Sequence, residues 1–304
     1  MLLVVVLWGI NVVMIKYLLR FFPPLALAPI RLSLAAGLLL PVVWRQYGFY
    51  RLSGKEWLFV AGVAFFSIFV HQIVLSLGVA ATSGTHAVLI LGLNPLLTTV
   101  LASYLMKEAF TWAKGAGIAL GFSGVALVVY GNAQGTATPA GDLLILVAMI
   151  VFVIGSLFVK KSTVSVPPLV VTAYSHALAS IGLVLLGIMM NPVWTYGNAA
   201  GFGSVAVLLF SSLVNTALGA LWWNMGIQQV GASTTSLFQN VSPIVGVFAS
   251  AVWLNEQLNW HHIAALCLVV MAVSLGTGVA SNLNFPSRFK PAAATKPTFR
   301  TPNL

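Results

Sequence analysis

The amino-acid pattern points to an all-α membrane fold: ten transmembrane helices, set as two inverted five-helix repeats. Three features carry that expectation. First, 60% of the 304 residues are hydrophobic and only 6% are charged, whereas a soluble domain carries about 25% charged residues. Second, the apolar residues fall into ten runs separated by short Gly, Ser, Thr, Asn and Pro connectors. Third, the chain echoes itself. Pro243, Glu256, Trp260 and Gly226 each lie 148 positions after Pro95, Glu108, Trp112 and Gly78, and Pro23-Pro24-Leu25 recurs as Pro167-Pro168-Leu169. Repeats of this kind in an apolar chain mark transporter architectures.

A span needs about 20 apolar residues to cross about 30 Å of hydrocarbon. The expected spans run over 2–20, 24–43, 57–80, 84–106, 112–131, 141–160, 168–190, 202–228, 232–254 and 260–280. Met1 leads straight into Leu2-Leu3-Val4-Val5 without a basic stretch, so the first run reads as a span and not a cleaved signal. The repeats are expected at 1–131 and 141–280, joined by a 132–140 linker. A disordered basic tail is expected over 281–304, dotted with Pro286, Pro291, Pro297 and Pro302. Lys and Arg set the orientation. Arg45, Arg51, Lys55, Lys107, Lys114, Lys160, Lys161 and the tail residues fall on one side of alternating spans. That side reads as cytoplasmic, with both termini in it and the protein in the cytoplasmic membrane. Lys16 and Arg20 are exceptions, expected to snorkel to the outer headgroups. Five spans per half is an odd number, so the second copy enters the membrane reversed. Two such halves form a device with two nearly equivalent states, which is the route to alternating access.

Ten spans as five plus five, Trp8-Gly9 early in span one, the Asn94-Pro95 and Ser242-Pro243 breaks, and Glu108 and Glu256 just past spans four and nine complete a pattern. It resembles the EamA family of the drug/metabolite transporter superfamily over about residues 1–280. Within it the chain looks most like bacterial amino-acid and metabolite exporters, the aromatic amino-acid exporter type included. The resemblance implies a central cavity lined by spans one, three, four, six, eight and nine; it leaves the substrate open.

The four acids, Glu56, Glu108, Asp142 and Glu256, all lie at span ends. Asp142 reads as a helix N-cap, and Glu108 and Glu256 as caps or ties of their hairpins. No mid-span carboxylate relay is visible. Histidine is then the group in the spans that titrates near neutral pH. His71, with Gln72 beside it, has the strongest claim to function, and His86 near the outer end of span four follows. For both, and for His176, a satisfied core histidine is the alternative. His71→Ala is expected to impair transport and His176→Ala to spare it. His261 and His262 read as interfacial.

Span four aligns His86, Ile90, Asn94 and Thr98 at spacings of four. Pro95 lacks a backbone donor and frees the carbonyl near residue 91, either for a substrate ammonium or as a simple kink. Span nine mirrors it with Phe238, Gln239, Ser242 and Pro243. Span eight offers Asn215, Gly219, Trp222 and Trp223, of which Trp222 shares a face with Asn215 and Gly219 and is favoured for the cavity, and span one offers Trp8 and Asn11. Gly117 and Gly121 form a GxxxG pair for close helix packing. Arg31, about two turns into span two, reads as snorkelling.

Several classes lose support. The net charge of +10 is scattered over short loops, as topology requires, so no nucleic-acid partner is expected. Cys267 is the lone cysteine, and no carboxylate or His cluster suggests a metal; no cofactor is expected. No P-loop or HExxH occurs, and Gly121-Phe122-Ser123-Gly124 alone is too short to argue for an intramembrane protease. A phosphate carrier would place several Lys or Arg mid-span. A cavity of aromatics, amides, hydroxyls and one His suits a small neutral or zwitterionic solute with an apolar part. The expected function is secondary export of amino acids, large hydrophobic and aromatic ones included, or of related amphipathic metabolites. A multidrug carrier is the alternative, and a membrane scaffold or sensor is the alternative of another class.

Overall fold

The computed structural model describes residues 1–105, 111–131, 137–190 and 201–276. They form ten helical spans: α1 (Leu2–Leu18), α2 (Pro24–Tyr47), α3 (Gly54–Ala81), α4 (Gly84–Leu91 and Asn94–Leu105), α5 (Trp112–Gly131), α6 (Pro139–Ser162), α7 (Pro168–Met190), α8 (Phe202–Val230), α9 (Ala232–Leu254) and α10 (Trp260–Gly276). Seven helices among the described residues are long and apolar enough to cross a membrane, while α1 and α10 are shorter apolar helices of 17 residues. The Glu108 turn, most of the expected linker and the expected tail lie outside the described residues.

Alternation of the spans gives the bundle two ends. The terminal face carries the chain start and the α2–α3, α6–α7 and α8–α9 turns; the distal face carries the α1–α2, α3–α4 and α9–α10 turns. Local chemistry sets the helix ends. Ser53 and Glu56 form a reciprocal capping box at the start of α3, with Glu56 Oε2 accepting the Ser53 N–H at 2.7 Å. Ser83 caps α4 and Thr138 caps α6. The α8–α9 turn needs Gly231, at φ 86°.

Two large apolar clusters, with two smaller ones beside them, hold the described helices together. One gathers Ile15, Leu18, Leu27, Leu75, Val79, Leu89 and Ile145 toward the distal face. The other gathers Val4, Val5, Leu39, Val60, Val170, Trp223 and Ile227 toward the terminal face. Rings such as Trp44, Phe49 and Trp57 at one end, and Phe202 and Trp260 at the other, stay exposed, as rings at the two membrane interfaces do.

Among the described residues the regular helix gives way in four places. α3 and α8 each widen midway into a stretch with five-residue hydrogen-bond spacing, over Val63–Val70 and Ser211–Leu218. These stretches lie 148 positions apart. α4 breaks at Gly92 and Leu93, and α9 tightens over Phe238–Asn240. The two breaks meet: a Cβ on Gly92 would collide with the Pro243 ring. Gly117 presses on Ala272 and Gly276 of α10, and Gly121 on Leu93 of α4. Pro95, Pro243, Gly117 and Gly121 thus stand at breaks or close helix contacts.

Candidate functional site

The widened turns and the broken helices enclose one cavity of about 150 Å³ between the two large apolar clusters. Its wall comes from α1, α3, α4, α6, α8 and α9, with Arg31 of α2 and Ser175 and His176 of α7 added. The repeat governs the wall residue by residue. Trp8, Val12, Ile15 and Arg31 are matched 144 positions on by Phe152, Ser156, Val159 and Ser175. Ser67, Ile68, Gln72, Leu75, Leu91 and Asn94 are matched 148 positions on by Asn215, Thr216, Ala220, Trp223, Gln239 and Ser242.

Three rings form an apolar corner. Trp8 lies 5.9 Å from Phe152, edge to face, and 4.9 Å from Trp223. Trp8 Nε1 donates to the Asn215 carbonyl at 3.1 Å, in the widened turn of α8. His71 lies 5.1 Å from the Phe152 ring, and its Nδ1 donates to the Ala148 carbonyl at 2.9 Å. That leaves Nε2 as an acceptor in neutral imidazole. His176 Nδ1 donates to the Thr172 carbonyl at 2.8 Å. Ser67 Oγ, Gln72 Oε1, Asn215 Oδ1, Gln239 Oε1 and Trp223 Nε1 are buried wall atoms with no hydrogen-bond partner. An unpaired buried polar group is costly, so five around one cavity point to a ligand that pairs them.

Of the residues singled out from sequence, Trp8, Asn11, His71, Gln72, Asn94, Asn215 and Gln239 line this cavity. His86, Trp222 and Phe238 do not. His86 is held away by Asp142 of α6, its Nδ1 3.0 Å from Oδ2, and Thr82 donates to the same carboxylate. Trp222 packs against the terminal-face cluster and Trp223 takes the wall position. The widened turn between Asn215 and Trp222 adds about a residue of phase, so a 3.6-residue count selects the wrong tryptophan. Phe238 begins the tightened turn of α9, which rotates it onto the same cluster. Arg31 and His176 are wall residues that periodicity alone missed. The 144-residue offset pairs Arg31 with Ser175, both of them wall residues, and is the signal that finds this pair; it gives none for His176, whose counterpart Leu32 is not a wall residue.

The span ends also differ from expectation. Thr138, and not Asp142, caps α6. Lys16 does not reach for headgroups: its ammonium donates to the carbonyls of Val79, Ala80 and Thr82 at 2.9, 3.3 and 2.5 Å, closing the C-terminal end of α3. Glu256 does not tie its own hairpin. Its carboxylate accepts from the Gly84 and Thr85 N–H groups at 2.7 and 2.9 Å and from the Thr85 hydroxyl at 2.7 Å. It caps α4, a helix of the other repeat. His261 and His262 are buried, and the His262 ring lies 5.9 Å from that of His86.

A bundle of apolar spans around a polar-walled central cavity, with the wall built twice over, is the architecture of a membrane transporter. Sequence comparison makes the class specific. The EamA-like transporter family model matches residues 1–130 and again 139–277, and the chain belongs to that family, within the drug/metabolite transporter superfamily. It is a family of transporters and not of enzymes. The uncharacterized transporter YyaM of Bacillus subtilis is 30% identical over 273 residues, covering 87% of this chain and 88% of its own. An uncharacterized transporter of Archaeoglobus fulgidus is 26% identical over 274 residues, covering 89% and 95%. A solved crystal structure superposes with a TM-score of 0.68 over 93% of this chain and 96% of its own, at 16% identity.

Proposed function

We propose that this transporter is a secondary exporter of amino acids and related small metabolites, working by alternating access in the cytoplasmic membrane with both termini inside. One observation carries the substrate class: an aromatic corner of Trp8, Phe152 and Trp223 faces buried, unpartnered amide oxygens across one cavity. Rings accommodate an apolar side chain, and amide oxygens accept from an ammonium. Pro95 and Pro243 supply no N–H to the carbonyls of Leu91 and Gln239, both of them wall residues. Those carbonyls add acceptors on both sides of the pseudo-twofold. Cavity size favours this class over drugs. At about 150 Å³ the space is below the roughly 300 Å³ where drug-sized pockets begin. The near-equivalence of the two wall halves supports two exchanging states.

Proteoliposomes loaded with labelled threonine, methionine and phenylalanine test the proposal by counterflow. Saturable exchange of at least one, quenched by the unlabelled solute, is expected. No exchange of any of the three removes amino acids as the class.

A further inference from the structure

Arg31 is fully buried in α2 and borders the cavity. Its guanidinium meets only hydroxyls. Nε donates to Ser211 Oγ at 3.0 Å and Nη2 to Thr216 Oγ1 at 2.9 Å, both in the widened turn of α8. Each hydroxyl sends its own proton elsewhere, Ser211 to Asn11 Oδ1 at 2.6 Å and Thr216 to the Ser211 carbonyl at 2.9 Å. Their lone pairs therefore face the guanidinium and fix its plane. Nη1 has no partner. Among the described residues no carboxylate lies within ion-pairing distance of Arg31. A buried charge without a counter-charge is among the costliest arrangements in a protein. It persists here within a wall that also holds five orphaned polar atoms.

We propose that Arg31 is the anchor for a carboxylate on the transported solute, received by Nη1 and the neighbouring guanidinium edge. The carboxylate supplies the missing negative charge and the missing acceptor together. The division of orphaned atoms sets the orientation. The acid group goes to Arg31, an ammonium to the oxygens of Gln72, Asn215 and Gln239, and the apolar part to the ring corner. Ser175, in the equivalent place of the second repeat, carries no charge, so the solute binds in one orientation. The inference rests on the cavity being the substrate site; it does not need the solute to be an amino acid.

The test uses the full chain in detergent and in liposomes, with three probes of matched apolar part: phenylalanine, 3-phenylpropanoate and phenylalaninamide. Thermal stabilisation reports binding and counterflow reports transport. The carboxylate probes are expected to bind the native protein about tenfold or more tightly than the amide. Arg31→Gln, checked for monodispersity by gel filtration, is expected to abolish that preference by weakening the carboxylate probes far more than the amide. Arg31→Lys keeps the charge without the fork and is expected to retain part of the preference. If 3-phenylpropanoate binds and phenylalanine does not, the amino-acid reading fails and the anchor stands. If the native protein prefers the amide or ignores the carboxylate, the anchor is overturned whatever the variants do. Equal loss for acid and amide in a folded Arg31→Gln also overturns it, since that is the mark of a purely structural role.

Discussion

The contact between α3 and α6 and the contact between α1 and α8 occupy equivalent places in the two repeats, yet they are built differently. α3 meets α6 backbone to backbone. Gly155 lies against Ser67, Gly78 against Ile145, and Gly141 against Ala81, so that a Cβ on any of the three would overlap its neighbour. At the other contact Asn11 stands where Gly155 stands, and it reaches across to Ser211 through a side-chain hydrogen bond. The Trp8 indole spans to Asn215, and Gly219 leaves room for that ring where the first repeat has His71 beside the smaller Phe152. One pair of helices is zipped by glycines; its counterpart is propped by polar and aromatic side chains that also face the cavity. In the proposed alternating-access cycle, exchange of the two arrangements would present the cavity to either side.

The sharpest way to break the comparison is Gly155→Leu. Its side chain has no space against Ser67 and would wedge the zipped contact apart. Overpacking of this kind costs roughly 1–3 kcal/mol, and counterflow is expected to fall more than tenfold in protein that still purifies monodisperse. Unchanged flux would show that α3 and α6 do not need to close. Next, His71→Ala and His176→Ala are both expected to weaken binding several-fold in a titration with the transported solute, because both rings line the wall. A loss confined to His71 would bear out the expectation drawn from sequence. Glu256→Gln comes third. It removes the charge from three hydrogen bonds at the start of α4, and a loss of about 1–2 kcal/mol should lower the detergent melting temperature. Trp8→Phe is the mildest. It makes the first repeat like the second at this position and deletes one bond to the Asn215 carbonyl, for about 1 kcal/mol; binding is expected to weaken by about fivefold.

Much of this was legible in the chain. Hydrophobic runs located the spans, and the 148-residue offset located the paired breaks and, with them, Asn94 and Gln239. What escaped needed three-dimensional information. The long side chain of Arg31 can turn to the headgroups or inward, and only Ser211 and Thr216, 180 and 185 residues away, decide for inward. Trp222 and Trp223 are neighbours, and a widened turn chooses between them. His86 sits on the face that periodicity assigns to the cavity, but Asp142 arrives from another helix and holds it.

Glu256 ends its own unit and completes the first turn of a helix in the sister unit. The first half, separated at the linker, would lack a group that the start of its fourth helix requires. Fusion therefore did more than keep two copies in equal number. It tied the stability of the first unit's fourth helix to the presence of the second unit.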